Sequence, residues 1–259
     1  VTLGTGALLF FAAAIGGAVN SVAGGGTFVA FPALLFAGVA PVPANATNTI
    51  ALWPGSVAST VAYRRELAQV HGEILALGGA SLLGGLAGSV LLLRTSDQTF
   101  VLLIPWLLLF ATLLFSFGGS AQRRLGRQDA APPASRGVAI FTQLAISLYG
   151  GYFGGGMGIM MLAVLSLRGM SNIHRMNALK AFLVALVNGV AVVAFVIAGA
   201  VAWRPAAVMI VGGIAGGYAG AAAARRIRPS LVRSLVLVVA WTMTAYFFVT
   251  TYWTAAPKA

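Results

Sequence analysis

The chain has no cysteine among its 259 residues, only four acids and two histidines, and a charged fraction of just 8%. Without thiols there are no disulfides, no thiolate metal sites and no cysteine nucleophile. The four acids (Glu66, Glu73, Asp97 and Asp129) all fall between apolar runs, and neither His71 nor His174 has a metal-ligating partner at usable spacing. No Ser-His pairing stands out, so the sequence offers neither an activated nucleophile nor a metal centre, and the chain is not read as an enzyme. No cofactor is implied. Also missing are ten-residue segments of alternating polarity, which argues against a transmembrane β-barrel. The opening stretch, VTLGTGALLFFAAAIGGAV, has no basic lead-in and runs straight into further apolar segments, so it reads as a mature membrane helix and not a cleaved signal.

What the chain has in quantity is apolar surface: 59% hydrophobic residues and a mean hydropathy of +0.95. This composition predicts an integral membrane protein, and the cost of unpaired backbone groups in hydrocarbon makes its spans helical. The expected fold class is all-α, a polytopic helical membrane protein in lipid, with the bacterial plasma (inner) membrane as the default location. Sixteen Lys and Arg against four acids give a net charge of +12. These residues fall in short clusters between hydrophobic runs and form no continuous basic surface, so they read as orientation signals in a bilayer and not as a nucleic-acid interface.

Two internal matches suggest a duplication. The triplet Gly24–Gly26 recurs at Gly154–Gly156, an offset of 130, and LLGGLAGS at Leu82–Ser89 aligns with IAGGYAGA at Ile214–Ala221, an offset of 132. Each half then holds five apolar elements: 3–22, 27–40, 46–63, 72–93 and 99–117, then 137–152, 157–168, 176–199, 204–224 and 231–254. The second element of each set, at about 1.5 Å per residue, reaches roughly 20 Å and falls short of a hydrocarbon core of about 30 Å. Both read as half-helices, each following a glycine break. The polar, basic, proline-containing segment 123–136 separates a first transmembrane repeat, 1–122, from a second, 137–259.

Placing that linker in the cytoplasm and alternating outward puts twelve arginines inside: Arg64, Arg65, Arg123, Arg124, Arg127, Arg136, Arg168, Arg175, Arg225, Arg226, Arg228 and Arg233. Only Arg94, Arg204 and Lys258 fall on the other side, which satisfies the positive-inside rule. Both termini are then external, and each half crosses an odd number of times, three or five. Halves with odd crossings are inverted, and an inverted repeat with a broken helix in each half points to a transporter site near the midplane.

The glycine triplets admit two uses. They let backbones pack closely, as Gly84–Gly88 and Gly216–Gly220 are expected to do. They also free amide groups at the start of the next helix, where two inverted half-helices beginning at Thr27 and after Gly156 would face one anion. Asn20 and Ser21 precede the first triplet and belong to the same candidate pocket. Asn45, Thr47, Asn48 and Thr49 add neutral donors at the head of an apolar element, with Asn45 equally suited to be that helix's N-cap. Trp53, beside Pro54 and Gly55, would wall the pocket at a kink. Lys180 lies inside an apolar element, offset from Asn48 or Thr49 of the first half, with Asn177 one turn earlier; it would either supply counter-charge to an anion or carry its ammonium back to the surface. Trp106, Trp241 and Trp253 fit interfacial anchoring.

The stretch Gly24 to Arg65, GGGTFVAFPALLFAGVAPVPANATNTIALWPGSVASTVAYRR, resembles the signature of the sulfite exporter TauE/SafE family: a glycine cluster (Gly24–Gly26), P-x-L (Pro32-Ala33-Leu34), a G-hydrophobic-x-P turn (Gly38 to Pro41) and an A-x-A-T-N run (Ala44 to Asn48). The resemblance spans essentially the whole chain. The second copy departs from it, with Leu162 in place of Pro32 and Asn172 to Ala181 in place of the Thr-rich run. It implies transport of sulfur-containing anions such as sulfite, thiosulfate and organosulfonates. The function expected is therefore a secondary transporter, an exporter by preference, with an anion channel or a coupled importer of thiosulfate or another small anion as alternatives. Homo-oligomerisation is left open.

Overall fold

Eleven α-helices account for most of the residues described by the computed structural model, which are 2–22, 25–125, 135–170, 172–223 and 229–253; no strand occurs among them. In order they are α1 (Leu3–Val22), α2 (Thr27–Phe36), α3 (Pro41–Ala62), α4 (Arg64–Leu67), α5 (His71–Arg94), α6 (Asp97–Leu125), α7 (Arg136–Tyr152), α8 (Met157–Leu167), α9 (Ile173–Ile197), α10 (Trp203–Ala223) and α11 (Pro229–Phe248), the last running into a π-helical turn, Val249–Trp253. Among the described residues, five segments are long and apolar enough to cross a bilayer: Leu3–Asn20, Ile74–Arg94, Asp97–Phe117, Ile173–Ile197 and Ser234–Trp253. Helices α2 and α8, with 10 and 11 residues, are too short.

Local chemistry explains where the helices stop. Helix α2 ends in a Schellman turn: Gly38 takes φ +78°, Gly38 N–H donates to Leu35 O, and Val39 N–H reaches back to Leu34 O. Helix α8 ends the same way, with Gly169 at φ +78° and Met170 N–H donating to Leu165 O. The expected element 27–40 therefore stops at Phe36, and the next begins at Pro41 instead of 46, because proline suits the first helical position. This overturns the N-cap reading of Asn45: the N-cap position belongs to Ala40, and the Asp97 carboxylate of α6 accepts from Val42 N–H at 2.8 Å. The short α4 had no counterpart in the sequence reading. Of the segment 123–136, residues 126–134 lie outside the described residues, flanked by the end of α6 and the start of α7.

Helix pairs occur in matched sets. Helix α1 packs on α10 as α7 packs on α5; α2 touches α11 as α8 touches α6; and α3 packs on α10 as α9 packs on α5. The first of these sets is built from glycine. A Cβ on Gly212 would overlap Phe10 O, and one on Gly216 would overlap Ala14 O, so α1 and α10 run parallel in near backbone contact. Gly84 stands against Leu144 O and Gly88 against Leu148 O, which makes α5 and α7 parallel too. Helices α6 and α11 run antiparallel: Tyr252 donates to Leu102 O and accepts from Trp106 Nε1, while Thr112 and Thr244 share a buried hydroxyl hydrogen bond of 3.1 Å.

Candidate functional site

The two glycine breaks need their glycines for different reasons. At the first, Gly26 has ordinary helical angles (φ −58°, ψ −31°), but a Cβ there would run into Gly16 O, and one on Gly25 would lie 2.8 Å from Val236 Cγ1. Space is what the first break demands. At the second, Gly154 and Gly156 take φ +83° and +78°, a region that glycine enters without strain. Gly155 O there accepts from the Tyr149 hydroxyl at 2.7 Å. Thr27, half-buried, opens α2, and Asn20, also half-buried, lies with Ser21 in the last turn of α1. Gly24 lies outside the described residues.

The fold brings both breaks to one stretch of α6. A Cβ on Gly155 would lie 3.3 Å from Ala111 Cβ, and one on Gly25 would lie 3.3 Å from the ring of Phe115, one turn further along. Phe31 of α2 meets Phe153, the residue before Gly154, edge to face at 5.7 Å. The amino ends of α2 and α8, separated by 130 residues of chain, thus belong to one neighbourhood. A helix start carries about half a positive charge, which suits anions, although the amides of Phe28, Val29, Met157 and Ile159 here already donate to backbone carbonyls.

The polar residues of α3 are enclosed, and several have protein partners. Asn45, Thr47 and Asn48 are 1%, 0% and 2% exposed. Asn45 Nδ2 donates to Tyr152 O at 2.9 Å, and Thr47 Oγ1 accepts from Ala202 N–H at 3.0 Å, just before α10. Thr49, half-buried, turns its hydroxyl back to Asn45 O. Trp53 Nε1 donates to Ala185 O of α9 at 3.0 Å and packs its ring on Gly189. Trp53 and Thr47 thus fasten α3 to α9 and to the start of α10.

Lys180 lies in α9, two turns from its start. It is partly buried, its Nζ donates to Asn177 Oδ1 at 3.1 Å, and its stem crosses Gly158, where a Cβ would lie 3.4 Å from Lys180 Cδ. Gly158 stands in the first turn of α8, so the ammonium is carried on a stem that lies beside a helix start. Neither α8 nor α9 contains an acid. Two residues of this region escaped the sequence reading. Gly158 extends the glycine cluster by two positions, a signal that was available; Tyr149 has none, since only the fold puts its hydroxyl on Gly155 O.

A polytopic helical protein with a cation beside a helix start in an apolar interior is built as a membrane transporter is built. The chain belongs to the sulfite exporter TauE/SafE family, whose profile matches residues 9–247, and is a multi-pass membrane transporter of that family. Among its relatives is the "Probable membrane transporter protein YfcA" of Escherichia coli, 27% identical over 241 residues, covering 92% of this chain and 87% of that one. A "Probable membrane transporter protein" of Haemophilus influenzae is 28% identical over 243 residues, covering 92% of both chains. Another, from a Sinorhizobium species, is 29% identical over 235 residues, covering 90% of this chain and 88% of the relative. No solved structure matches the chain.

Proposed function

We propose that the protein is a secondary carrier of a small sulfur-containing anion, sulfite or a related oxyanion or organosulfonate, held between the amino ends of α8 and α2. The observation that carries this reading is Lys180: a cation within an apolar helix, its stem against the first turn of α8, its hydrogen bond made to a neutral amide. No acid lies on α8 or on α9 itself, and a bound oxyanion supplies the counter-charge. Asn177 then orients the ammonium, the positive end of the α8 dipole adds to its field, and Gly25, Gly26 and Thr27 present the start of α2 from the other side. Asn20, whose Cβ lies close to Gly26, lines the approach.

The carrier works, in this reading, as two inverted repeats. Supporting it are the matched helix pairs, the antiparallel α6 and α11, and two contacts between residues 132 apart in the chain, Trp53 with Ala185 and Thr112 with Thr244, the same offset that relates the glycine-rich packing motifs. Contacts between equivalent positions are expected where a pseudo-twofold axis passes, and an axis between antiparallel helices lies in the membrane plane. Rocking of the halves about the two glycine breaks would expose the site alternately. With a cell interior that is negative, an anion moving alone gains about 2.3 kcal/mol per charge per 100 mV on leaving, so export is the favoured direction.

The test is counterflow in proteoliposomes loaded with unlabelled sulfite, thiosulfate, sulfoacetate or taurine. Saturable exchange with labelled substrate is expected, with zero exchange in all four contradicting the carrier.

A further inference from the structure

The Asn45 amide is oriented by its own hydrogen bond: Nδ2 donates to Tyr152 O, and turning the group over would set oxygen against oxygen. Its Oδ1 is consequently an enclosed acceptor with no donor, and Asn48 Oδ1 is likewise enclosed and unpartnered. Buried carbonyl oxygens in native folds nearly always find a partner. These two sit at i and i+3 on α3 and share one of its faces.

Their surroundings select for positive charge. Tyr152 is the last residue of α7, so Asn45 lies against the carboxyl end of a helix, where the helix dipole is negative; there Tyr149 O already accepts from Phe153 and Gly154 N–H and Tyr152 O from Asn45. One turn before Asn45, the Asp97 carboxylate accepts from Val42 N–H and adds a negative charge at the same end of α3. The ligands on offer are hard neutral oxygens, and among the described residues no cluster of three His, Cys, Asp or Glu exists to hold a divalent metal.

We propose that Asn45 Oδ1 and Asn48 Oδ1, with carbonyls of the last turn of α7, form a binding site for a monovalent cation of the size of Na⁺. The ion fastens α3 to the end of α7. It also places ligands of opposite sign at the two ends of one break, a cation at the carboxyl end of α7 and the anion at the amino end of α8. Only this last consequence rests on the anion-carrier reading; the cation site stands on its own residues.

Thermal unfolding of the purified full chain, titrated with NaCl against choline chloride at constant ionic strength, tests the site. A ligand that binds only the folded state raises the unfolding temperature saturably. Na⁺ is expected to do so and choline is not. Asn48→Leu should raise the Na⁺ concentration at half-effect more than about tenfold, whereas Asn48→Asp, which keeps an oxygen ligand and adds charge, should lower it. No Na⁺-specific rise in the unsubstituted protein, or one unchanged in both variants, overturns the proposal and leaves the two oxygens to water. The readout needs no transported anion, so the two readings fail separately. Na⁺-dependent stability without anion exchange contradicts the carrier alone; exchange without any Na⁺ effect on stability contradicts the cation site alone.

Discussion

At the scale of single residues, charge and hydrogen-bond capacity divide the buried polar groups between binding and structure. Lys180→Met removes the charge while keeping the stem that lies on Gly158, so the protein should fold and its half-saturating anion concentration should rise about tenfold or more, read by counterflow. Unchanged affinity would take Lys180 out of the mechanism. Thr47→Val is a structural test: it strips the acceptor from the part-buried Ala202 N–H and should cost about 1 kcal/mol of stability, measured by chemical or thermal unfolding. Lys180 was legible in the sequence because a charge inside an apolar run is costly and stands out. The use of Asn45 was not, since its partner Tyr152 lies 107 residues away and nothing local announces that the amide nitrogen is already engaged.

At the scale of elements, glycine decides which helices touch and which stop. Gly88→Ala sets a methyl against Leu148 O and should sharply lower the yield of folded protein by separating α5 from α7. Gly79→Ala, in the same helix with nothing within 4 Å of the new methyl, should be neutral or stabilise by up to about 1 kcal/mol. Size-exclusion profiles and melting temperatures of the two variants distinguish a specific packing role from a general effect of glycine content. Apolar run length marked most helix ends in sequence to within about five residues, because the backbone in hydrocarbon must pair internally; α6 is the exception, running on to Leu125, past the expected end at 117 and into the segment read as linker. The boundaries that moved were set by longer-range or conformational effects: α3 starts at Pro41 with its amide capped from α6 by Asp97, and α2 ends early in a left-handed Gly38. The difference between the two triplets was equally hidden, since close approach and positive φ both call for the same residue.

At the scale of the whole molecule, the proposed orientation and inversion are tested together. The absence of cysteine allows single-cysteine labelling directly: Ser96→Cys, between α5 and α6, should react with an impermeant thiol reagent from outside intact cells, and Gln69→Cys, between α4 and α5, only after permeabilisation. The reverse pattern would invert the topology and, with it, the side from which Lys180 is reached. Two sequence motifs suggest a duplication, but the helix pairing was not legible, because α1 meets α10 and α7 meets α5 over long separations in the chain.

The central claim, an anion carrier with Lys180 beside the start of α8, is met most directly by one measurement: counterflow of labelled sulfite and its sulfur-containing relatives in proteoliposomes, unsubstituted protein against Lys180→Met. Saturable exchange with one of these anions, lost or strongly weakened in the variant, is the predicted result. Absence of exchange with every one of them in demonstrably folded protein would contradict it.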